Sequence, residues 1–441
     1  MNTAIYRGLQ LPSYKQQSRE VAIASMPVPD TLVLPLDQHS DAVLEPCISV
    51  GASVLKGQVI AQPTSTLSAY LHSPVSGRVL AIEPRATPHR DQSAALSIVI
   101  SNDHRDASDI GYMPPHDWSQ LASLELCALL ARGGIAGLGG AVFPTATKLA
   151  AHAQHPIEHL LINGVECEPY ITCDDRLMRE RAEHIVHGVR ILLHAAQAKH
   201  CIIAIEADKP EALAAMQAAV VEASDTRITI SSIATAYPNG DEGRLIFQLL
   251  GREVPRAALP ADIGVIVQNV ATAYACARWI RDGEPLISRI VTVTGPSISQ
   301  PANLEVRLGT TVGDVLAACG GHRTETSGNV LIMGGAMMGH ALAHDQIPIV
   351  KASNCLIVGV GTAFKPVGIE MPCIRCGECA TVCPAHLLPQ QLLAFTRSDN
   401  RQALRELGLS DCIECGCCDY VCPSNITLAA RFHRAKHQAE A

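Results

Sequence analysis

Short apolar runs alternate with longer segments of helical periodicity in the middle of the chain, between about residues 118 and 284. The short runs are too brief for helices, and the segments between them carry apolar residues three and four positions apart. Strands are predicted near residues 159–162, 201–205, 227–230 and 264–267, and helices near residues 176–198, 209–223, 241–250 and 270–281. This alternation predicts a Rossmann-like α/β domain whose mainly parallel sheet is covered by helices on both faces.

The flanking segments follow other patterns. Residues 1–117 hold short alternating runs divided by Gly and Pro, which predicts a small β module. Residues 285–345 follow the order strand, strand, helix, strand, which fits a β-grasp domain. Residues 365–430 combine short helices with two cysteine runs. We therefore predict a multidomain α/β chain of four modules, with the α/β domain over residues 118–284.

The amino-acid composition of the chain excludes several classes of protein. The 441 residues are 48% hydrophobic and 17% charged, with a formal net charge of -8 and dispersed Lys and Arg, which argues against a nucleic-acid partner. The N-terminus has no apolar segment after a basic start, and no apolar run approaches the roughly 20 residues that span a bilayer. We expect a cytosolic chain without a transmembrane segment. Its 17 cysteines are then expected to be metal ligands rather than disulfides.

Nine of the cysteines lie in two nearly identical runs, one from Cys373 to Cys383 and one from Cys412 to Cys422, each followed by Pro, and eight of the nine take matching positions. A Cys-x2-Cys-x2-Cys loop supplies three thiolates to one 4Fe-4S cluster, and in two-cluster ferredoxins the last cysteine of each run crosses to the other cluster. The predicted ligand sets are Cys373, Cys376, Cys379 and Cys422 for one cluster, and Cys412, Cys415, Cys418 and Cys383 for the other. A zinc site would not need the third and fourth thiols of each run. We interpret the additional Cys417 as a packed, unligated thiol.

A glycine-rich stretch from Gly133 to Gly140 precedes a helix that is predicted to open at Pro144. Glycines allow a phosphate or a flavin to approach the backbone closely, and Lys148 adds positive charge one turn into the helix. The stretch fails the dinucleotide-binding fingerprint, because Val142 takes the place of the third glycine and the preceding element is helical. From these residues alone, a cofactor loop and a structural turn remain open.

Acidic residues follow the first predicted strand of the α/β domain, between Asn163 and Asp175. Open α/β sheets bind ligands at the carboxyl ends of their strands, so these acids suggest hydrogen bonds to a ribose or a nicotinamide amide. A solvated loop is the alternative. Cys167 and Cys173 in the same stretch receive no role.

Four segments occur in the order seen in the flavin-carrying, NADH-oxidising subunit of respiratory complex I. They are the glycine loop with Phe143-Pro144-Thr145, Asn163–Asp175, Tyr237–Glu242 and Gln268–Thr272. The whole chain is still more similar to the RnfC subunits of the Rnf (Rsx) electron transport complex, including Met333–Gly339 and Leu388–Leu392. The first module resembles the barrel-sandwich of biotinyl and lipoyl carriers, but it has no lysine between Ser65 and Leu71 and is interpreted as a scaffold.

The resemblance implies non-covalent FMN, NADH or NAD as substrate, and no proton-transferring catalytic residue. It assigns FMN to Gly137, Gly139, Gly140, Lys148, Asn163, Glu166, Asn269 and Thr272. It places NADH near Phe143, Tyr237, Glu168 and Glu242, with the two aromatic rings stacking, and counts Gly240 among the cofactor-binding residues. The complex I pattern has Gly at the position of Val142, so this side chain is expected to crowd the flavin or the nicotinamide.

The resemblance further implies a peripheral subunit at the cytoplasmic face of the bacterial inner membrane. It would pass electrons between NADH, FMN, two 4Fe-4S clusters and the membrane subunits of the Rnf complex, with ferredoxin reached through other subunits. One alternative is a soluble cobalamin reductase of the PduS type, although over a hundred residues precede the glycine loop here. Another is an electron-transfer adaptor without an NADH site, which Val142 favours and the retained Lys148, Glu166, Glu168 and Glu242 oppose.

Overall fold

The computed structural model describes residues 7–38, 43–90, 93–109, 117–323, 330–359 and 368–440. Within these ranges the chain forms four modules, in the order that the sequence predicts. None of the helices in the described ranges has both the length and the apolar content needed to cross a bilayer.

The first module, called the barrel module, packs two antiparallel sheets around a core of Leu, Ile and Val side chains, among them Leu34 and Ile98. The strand order is β2-β8-β7-β4 in one sheet and β3-β5-β6 in the other, which confirms the predicted barrel-sandwich. The strands of this part of the chain are β1 Ile23–Ser25, β2 Thr31–Pro35, β3 Leu44–Pro46, β4 Ser53–Val54, β5 Val59–Pro63, β6 Leu71–His72, β7 Gly77–Ala86 and β8 Ala94–Asn102.

The second, central module confirms the predicted α/β domain. Its sheet has the order β11-β10-β9-β12, and every neighbouring pair is parallel. Its elements are α1 Ser123–Arg132, α2 Thr145–Ala150, β9 His159–Gly164, α3 Cys173–Glu180, α4 Ala182–Ala196, β10 His200–Glu206, α5 Pro210–Ala223, β11 Ile228–Ile233, α6 Glu242–Leu250, β12 Val265–Asn269 and α7 Val270–Asp282. The helix predicted over residues 176–198 is interrupted at Arg181, whose φ of -135° is not helical.

The third, grasp module contains the predicted strand, strand, helix and strand within a six-stranded sheet of order β1-β14-β13-β17-β15-β16. Its own elements are β13 Ser288–Thr294, β14 Ala302–Arg307, α8 Val312–Ala318, β15 Leu331–Met333, β16 His340–Ala341 and β17 Cys355–Val358. Two strands come from outside the predicted boundaries, since β17 lies beyond residue 345 and β1 precedes the barrel module. These two strands pair with segments far away in the sequence, so no local sequence pattern predicts the pairing.

The fourth, cysteine module is built from short helices around a core that includes Leu392, Ile426 and Phe432. The helices are α9 Glu378–Thr381, α10 Pro389–Arg397, α11 Arg401–Glu406, α12 Cys417–Tyr420 and α13 Leu428–Glu440. The partly buried cysteines pack against this core, so the cysteine runs and the hydrophobic interior form one unit.

Residues 7–25 run across the other modules before the barrel module begins. Leu9 exchanges backbone hydrogen bonds with Tyr237, at 2.8 and 3.0 Å. Lys15 donates to the Glu166 carbonyl at 2.6 Å, and β1 pairs with β14. This segment, which the prediction includes in the first module, therefore also joins the central and grasp modules.

Helices α4 and α7 pack against each other, and Gly188 lies where they touch. A Cβ on Gly188 would come within 1.7 Å of the Ala273 carbonyl oxygen. We expect Gly188→Ala to lower the free energy of unfolding of the central module by about 1–3 kcal/mol, because the helices must separate. Urea unfolding followed by tryptophan fluorescence measures this, since both tryptophans, Trp118 and Trp279, lie in this module.

The matched control is Gly243→Ala in the first turn of α6. The nearest atom to a Cβ there is a carboxylate oxygen of Asp241 at 3.5 Å, an ordinary contact. This variant should unfold within about 0.5 kcal/mol of the parent. Equal effects of the two substitutions would contradict the proposed role of the α4–α7 contact.

Candidate functional site

Two cavities in the cysteine module are lined by cysteines from both runs. Cys373, Cys376 and Cys379 of the first run line one cavity together with Cys422 of the second run. This group is called the outer cysteine set. None of the four forms a disulfide. Four soft thiolates around one cavity fit the donor set of a 4Fe-4S cluster.

The second cavity is lined by the complementary group, called the inner cysteine set. It consists of Cys412, Cys415 and Cys418 of the second run and Cys383 of the first. Cys417 also lines this cavity. The structure therefore brings together the two crossed sets that the sequence predicts, and each set needs a residue from the other run.

The two runs have the same backbone conformation. Arg375 and Gly377 have positive φ angles in the first run, and Glu414 and Gly416 have them at the equivalent positions of the second. Each of these glycines caps a four-residue helix, α9 or α12. The left-handed residues curl each loop so that its thiols can face one cavity, which explains why two separate segments share one motif.

Burial distinguishes the two sets. Ile374, next to the outer set, is 68% exposed, whereas the equivalent Ile413 packs against the central module. Cys417 occupies the position that Glu378 holds in the first run, where the side chain is exposed. At the inner set this position is completely buried against Tyr237, so a thiol replaces a carboxylate. A hydrogen bond to Cys415, together with burial, raises the pKa of the Cys417 thiol.

The glycine loop lies between α1 and α2 in the central module. The Gly137 N–H donates to the Phe143 carbonyl at 2.8 Å, which closes the loop at its base. The Leu138 N–H donates to the Thr272 hydroxyl at 2.9 Å, at the start of α7. Gly140 has a φ of +119°, and a Cβ there would meet no atom within 4 Å. The loop is thus anchored at its base and open at Gly140.

The carboxyl ends of β9 and β12 meet this loop. Asn163 donates to the Gly240 carbonyl at 2.8 Å, and Asn269 donates to a carboxylate oxygen of Asp174 at 2.7 Å. A Cβ on Gly139 would lie 3.4 Å from the Asn269 Cβ, so the loop rests on the end of β12. Both predicted asparagines hold neighbouring loops together through their side-chain amides.

The open side of this region carries one ion pair and one exposed ring. Lys148 on α2 pairs with Glu242 at the start of α6, and both are partly exposed. Phe143 is 41% exposed beside the loop. These residues, the glycine loop and the strand ends form a continuous region that we call the strand-end site. Its amine, amides and open backbone fit a phosphate-bearing aromatic ligand such as FMN.

Glu166 follows β9 at the strand-end site, and its side chain is buried. Its carboxylate accepts from the Asp174 N–H at 2.6 Å and the Asp175 N–H at 3.3 Å, and the Lys15 ammonium is 3.7 Å away. Burial raises the pKa of Glu166 to about 8. The side chain caps the start of α3, as a carboxylate at a helix N-terminus does.

Two of the residues assigned to NADH do not face an open surface. Tyr237 is 2% exposed, and its hydroxyl donates to the Cys415 carbonyl at 2.7 Å. The ring has no open face in this structure, and its stacking on NADH stays a prediction. Glu168 accepts from the Met337 and Met338 N–H groups at 3.0 and 2.9 Å, and burial raises its pKa to about 7. Both side chains join the central module to its neighbours.

Val142 does not project into the strand-end site as the sequence suggests. Its φ of +51° is left-handed, which is unusual for a β-branched residue, and its side chain is only 5% exposed. A glycine would adopt this backbone without strain, which explains the pattern in complex I. The valine side chain is packed inside the protein, so the expected crowding does not follow from this structure.

Three residues at the site were not predicted from the sequence. Lys15 reaches Glu166 from the N-terminal segment, and the Cys167 sulfur accepts from the Gly240 N–H at 3.3 Å. Arg289 on β13 donates to the Leu138 carbonyl in the glycine loop. Of the three, only Arg289 leaves a signal in the sequence, as the one charged residue of a strand whose other side chains are aliphatic or carry a hydroxyl. Lys15 and Cys167 depend on contacts between segments far apart in sequence.

Four family models match successive parts of the chain. Residues 3–105 match the RnfC barrel sandwich hybrid domain, and residues 130–278 match the Nuo51 FMN-binding domain. Residues 290–341 match the SLBB domain, and residues 372–426 match a 4Fe-4S dicluster domain. FMN and two 4Fe-4S clusters are therefore the cofactors of this chain.

The air-oxidised NAD+-reducing [NiFe]-hydrogenase is a solved structure with a similar fold. The TM-score is 0.51 at 22% sequence identity, over 75% of this chain and 65% of that chain. At this identity, the similarity concerns the fold of the shared modules.

Proteins named as C subunits of the ion-translocating oxidoreductase complex are similar over almost the whole chain. The one from Pseudomonas aeruginosa is 44% identical over 404 residues, covering 92% of this chain and 51% of the relative. The one from Rhodobacter capsulatus is 42% identical over 433 residues, covering 98% of this chain and 82% of the relative. This chain thus spans about half the length of the first relative. It belongs to the RnfC family, the C subunits of ion-translocating oxidoreductase complexes.

Proposed function

We propose that this chain oxidises NADH, or reduces NAD in the reverse direction, and exchanges the electrons with membrane subunits of an ion-translocating complex. NADH would bind at the open side of the strand-end site, beside Phe143 and the pair of Lys148 and Glu242. FMN, when bound, supplies the exchange between a two-electron hydride donor and one-electron acceptors. Family membership favours this function over a soluble cobalamin reductase.

One observation carries the proposal. The loop that contributes Gly240 and Glu242 to the strand-end site also contributes Tyr237, whose hydroxyl donates to the Cys415 carbonyl at 2.7 Å. The FMN-binding module and the inner cysteine set are therefore in direct contact. The Cys167 sulfur lies in the same apolar cluster as Tyr237, Cys415 and Cys417, which keeps water out of this boundary.

The residues of the strand-end site have positioning roles in this proposal. The Gly137–Gly140 loop offers backbone to the ligand, and Lys148 offers positive charge. Asn163 and Asn269 hold the loops around the strand ends, while Thr272 fixes Leu138. Glu166 orders the start of α3. None of these contacts requires a proton-transferring residue.

The two cysteine sets would act in series, with the inner set next to the central module and the outer set next to solvent. The crossed ligand sets remain our proposal for the two clusters. The exposed surroundings of the outer set suit an exit to a partner subunit. We further propose that the chain binds the complex peripherally, at the cytoplasmic face of the inner membrane.

Anaerobic reduction by NADH tests the function. We expect the purified chain, loaded with FMN and with both clusters intact, to lose flavin and iron-sulfur absorbance when NADH is added. Because Tyr237 contacts Cys415, we expect the flavin absorbance and the iron-sulfur absorbance to decrease in the same experiment. Stopped-flow absorbance at the flavin and cluster bands measures this.

Dithionite provides the control, since it reduces iron-sulfur clusters without a nucleotide site. A chain with FMN bound whose flavin and clusters are both bleached by dithionite but left oxidised by NADH would falsify the dehydrogenase function. The adaptor alternative would then account for the chain. Bleaching of the flavin alone would contradict the proposed route through the inner set.

Substitution of adjacent cysteines tests the ligand sets. We expect Cys418→Ala to lose one of the two clusters and about half of the bound iron, because Cys418 is one of four thiols around the inner cavity. Cys417→Ala should keep both clusters, although it lies next to Cys418 in the sequence. Iron analysis and electron paramagnetic resonance of the dithionite-reduced proteins distinguish these results. Loss of a cluster in Cys417→Ala would overturn the assignment.

A further inference from the structure

Arg289 reaches the glycine loop from a different module. It lies on β13 of the grasp module, is 4% exposed, and has no role in the proposed electron route. Its Nη1 and Nη2 atoms both donate to the Leu138 carbonyl oxygen at 3.2 Å. The grasp module therefore contacts the backbone of the FMN-binding loop through one buried guanidinium.

Leu138 is held from both sides. Its N–H donates to the Thr272 hydroxyl of α7, while its carbonyl accepts from Arg289. Thr272 is completely buried. The adjacent Gly139 and Gly140, which must approach the ligand, follow directly from this fixed residue. Two anchors on one residue leave the loop little freedom to move when it is empty.

The charge of Arg289 is not balanced locally. Among the described residues, no carboxylate lies within 4.0 Å of its guanidinium, and its buried Nε has no hydrogen-bond partner. Arg278, by comparison, pairs with both Glu284 and Glu305. Burial lowers the pKa of Arg289, and the more distant Cys173 and Asp174 oppose this effect. A buried cation without a paired anion is costly unless an anion elsewhere compensates it.

The anion expected at this loop is FMN, whose phosphate is negatively charged and which gains negative charge on reduction. We propose that Arg289 is a positioning residue of the FMN site, which fixes the glycine loop through Leu138 and supplies buried positive charge behind it. The charge stabilises the anionic cofactor and favours its reduced form. This inference rests only on the FMN-binding part of the proposed function, not on NADH or the membrane partners.

Two substitutions separate the charge from the hydrogen bonds. We expect Arg289→Met to raise the Kd for FMN at least tenfold and to shift the flavin midpoint potential to more negative values. Arg289→Lys keeps the charge but loses the forked contact, so it should raise the Kd by a smaller factor and leave the potential unchanged. Fluorescence titration of the apoprotein with FMN gives the Kd. A mediated spectroelectrochemical titration without NADH gives the potential.

Thr272→Val is the matched control, because it releases the other side of Leu138 without changing any charge. It should raise the Kd for FMN and leave the potential unchanged. Urea unfolding of each apoprotein identifies a variant that does not fold, and Arg289→Gln, which keeps a donor without the charge, then replaces Arg289→Met. An unchanged potential in the uncharged variant would overturn the electrostatic role. A wild-type Kd in both Arg289→Met and Arg289→Lys would overturn the positioning role.

Failure of this proposal is distinct from failure of the dehydrogenase function. A chain that NADH does not reduce can still show the differences among the Arg289 variants, because neither measurement uses NADH. Conversely, a chain that NADH reduces can have variants with unaltered flavin potentials. The two experiments therefore test the FMN-positioning role and the NADH site independently.

Discussion

The buried contact between Lys15 and Glu166 is the interaction on which the arrangement of the modules depends. Lys15 donates to the Glu166 carbonyl at 2.6 Å, and its ammonium lies 3.7 Å from the Glu166 carboxylate. The same carboxylate caps α3. The buried Lys15 ammonium needs acceptors, and it finds them here, where the N-terminal segment crosses the central module. From there the chain continues into β1 and completes the sheet of the grasp module.

The modules then meet around the strand-end site through polar contacts that each use a side chain from one module and backbone from another. Arg289 contacts the Leu138 carbonyl, Glu168 accepts from the Met337 and Met338 N–H groups, and Tyr237 donates to the Cys415 carbonyl. Such contacts fix orientation as well as position, because a hydrogen bond weakens steeply when its angle changes. A one-electron route between modules needs this fixed geometry.

The sequence predicted the helices and strands well, but it predicted few of the contacts between the modules. The strands and helices of the central module follow from hydrophobic period alone, since β9, β10, β11 and β12 are short apolar runs between amphipathic segments. The crossed cysteine sets follow from spacing, because a loop of fixed length can place only three thiols at one cluster. Both signals are local in the sequence.

The contacts of Tyr237, Glu168 and Arg289 could not be predicted from local sequence patterns. Each of these side chains contacts a segment at least 150 residues away. Family resemblance assigned the first two to a ligand, whereas the structure shows their contacts with neighbouring modules. Their burial decides the difference, and burial depends on packing between modules that no single segment encodes.

The unequal burial of the two cysteine sets determines which set oxidants damage first. Cys376 of the outer set is exposed, and three of the four inner cysteines are buried. Oxidants attack sulfur that solvent can reach, so damage begins at the outer set. On the proposed route, such damage would separate the chain from its electron partner while the flavin and the inner set stay connected. Oxygen exposure would therefore uncouple the protein before it inactivates it.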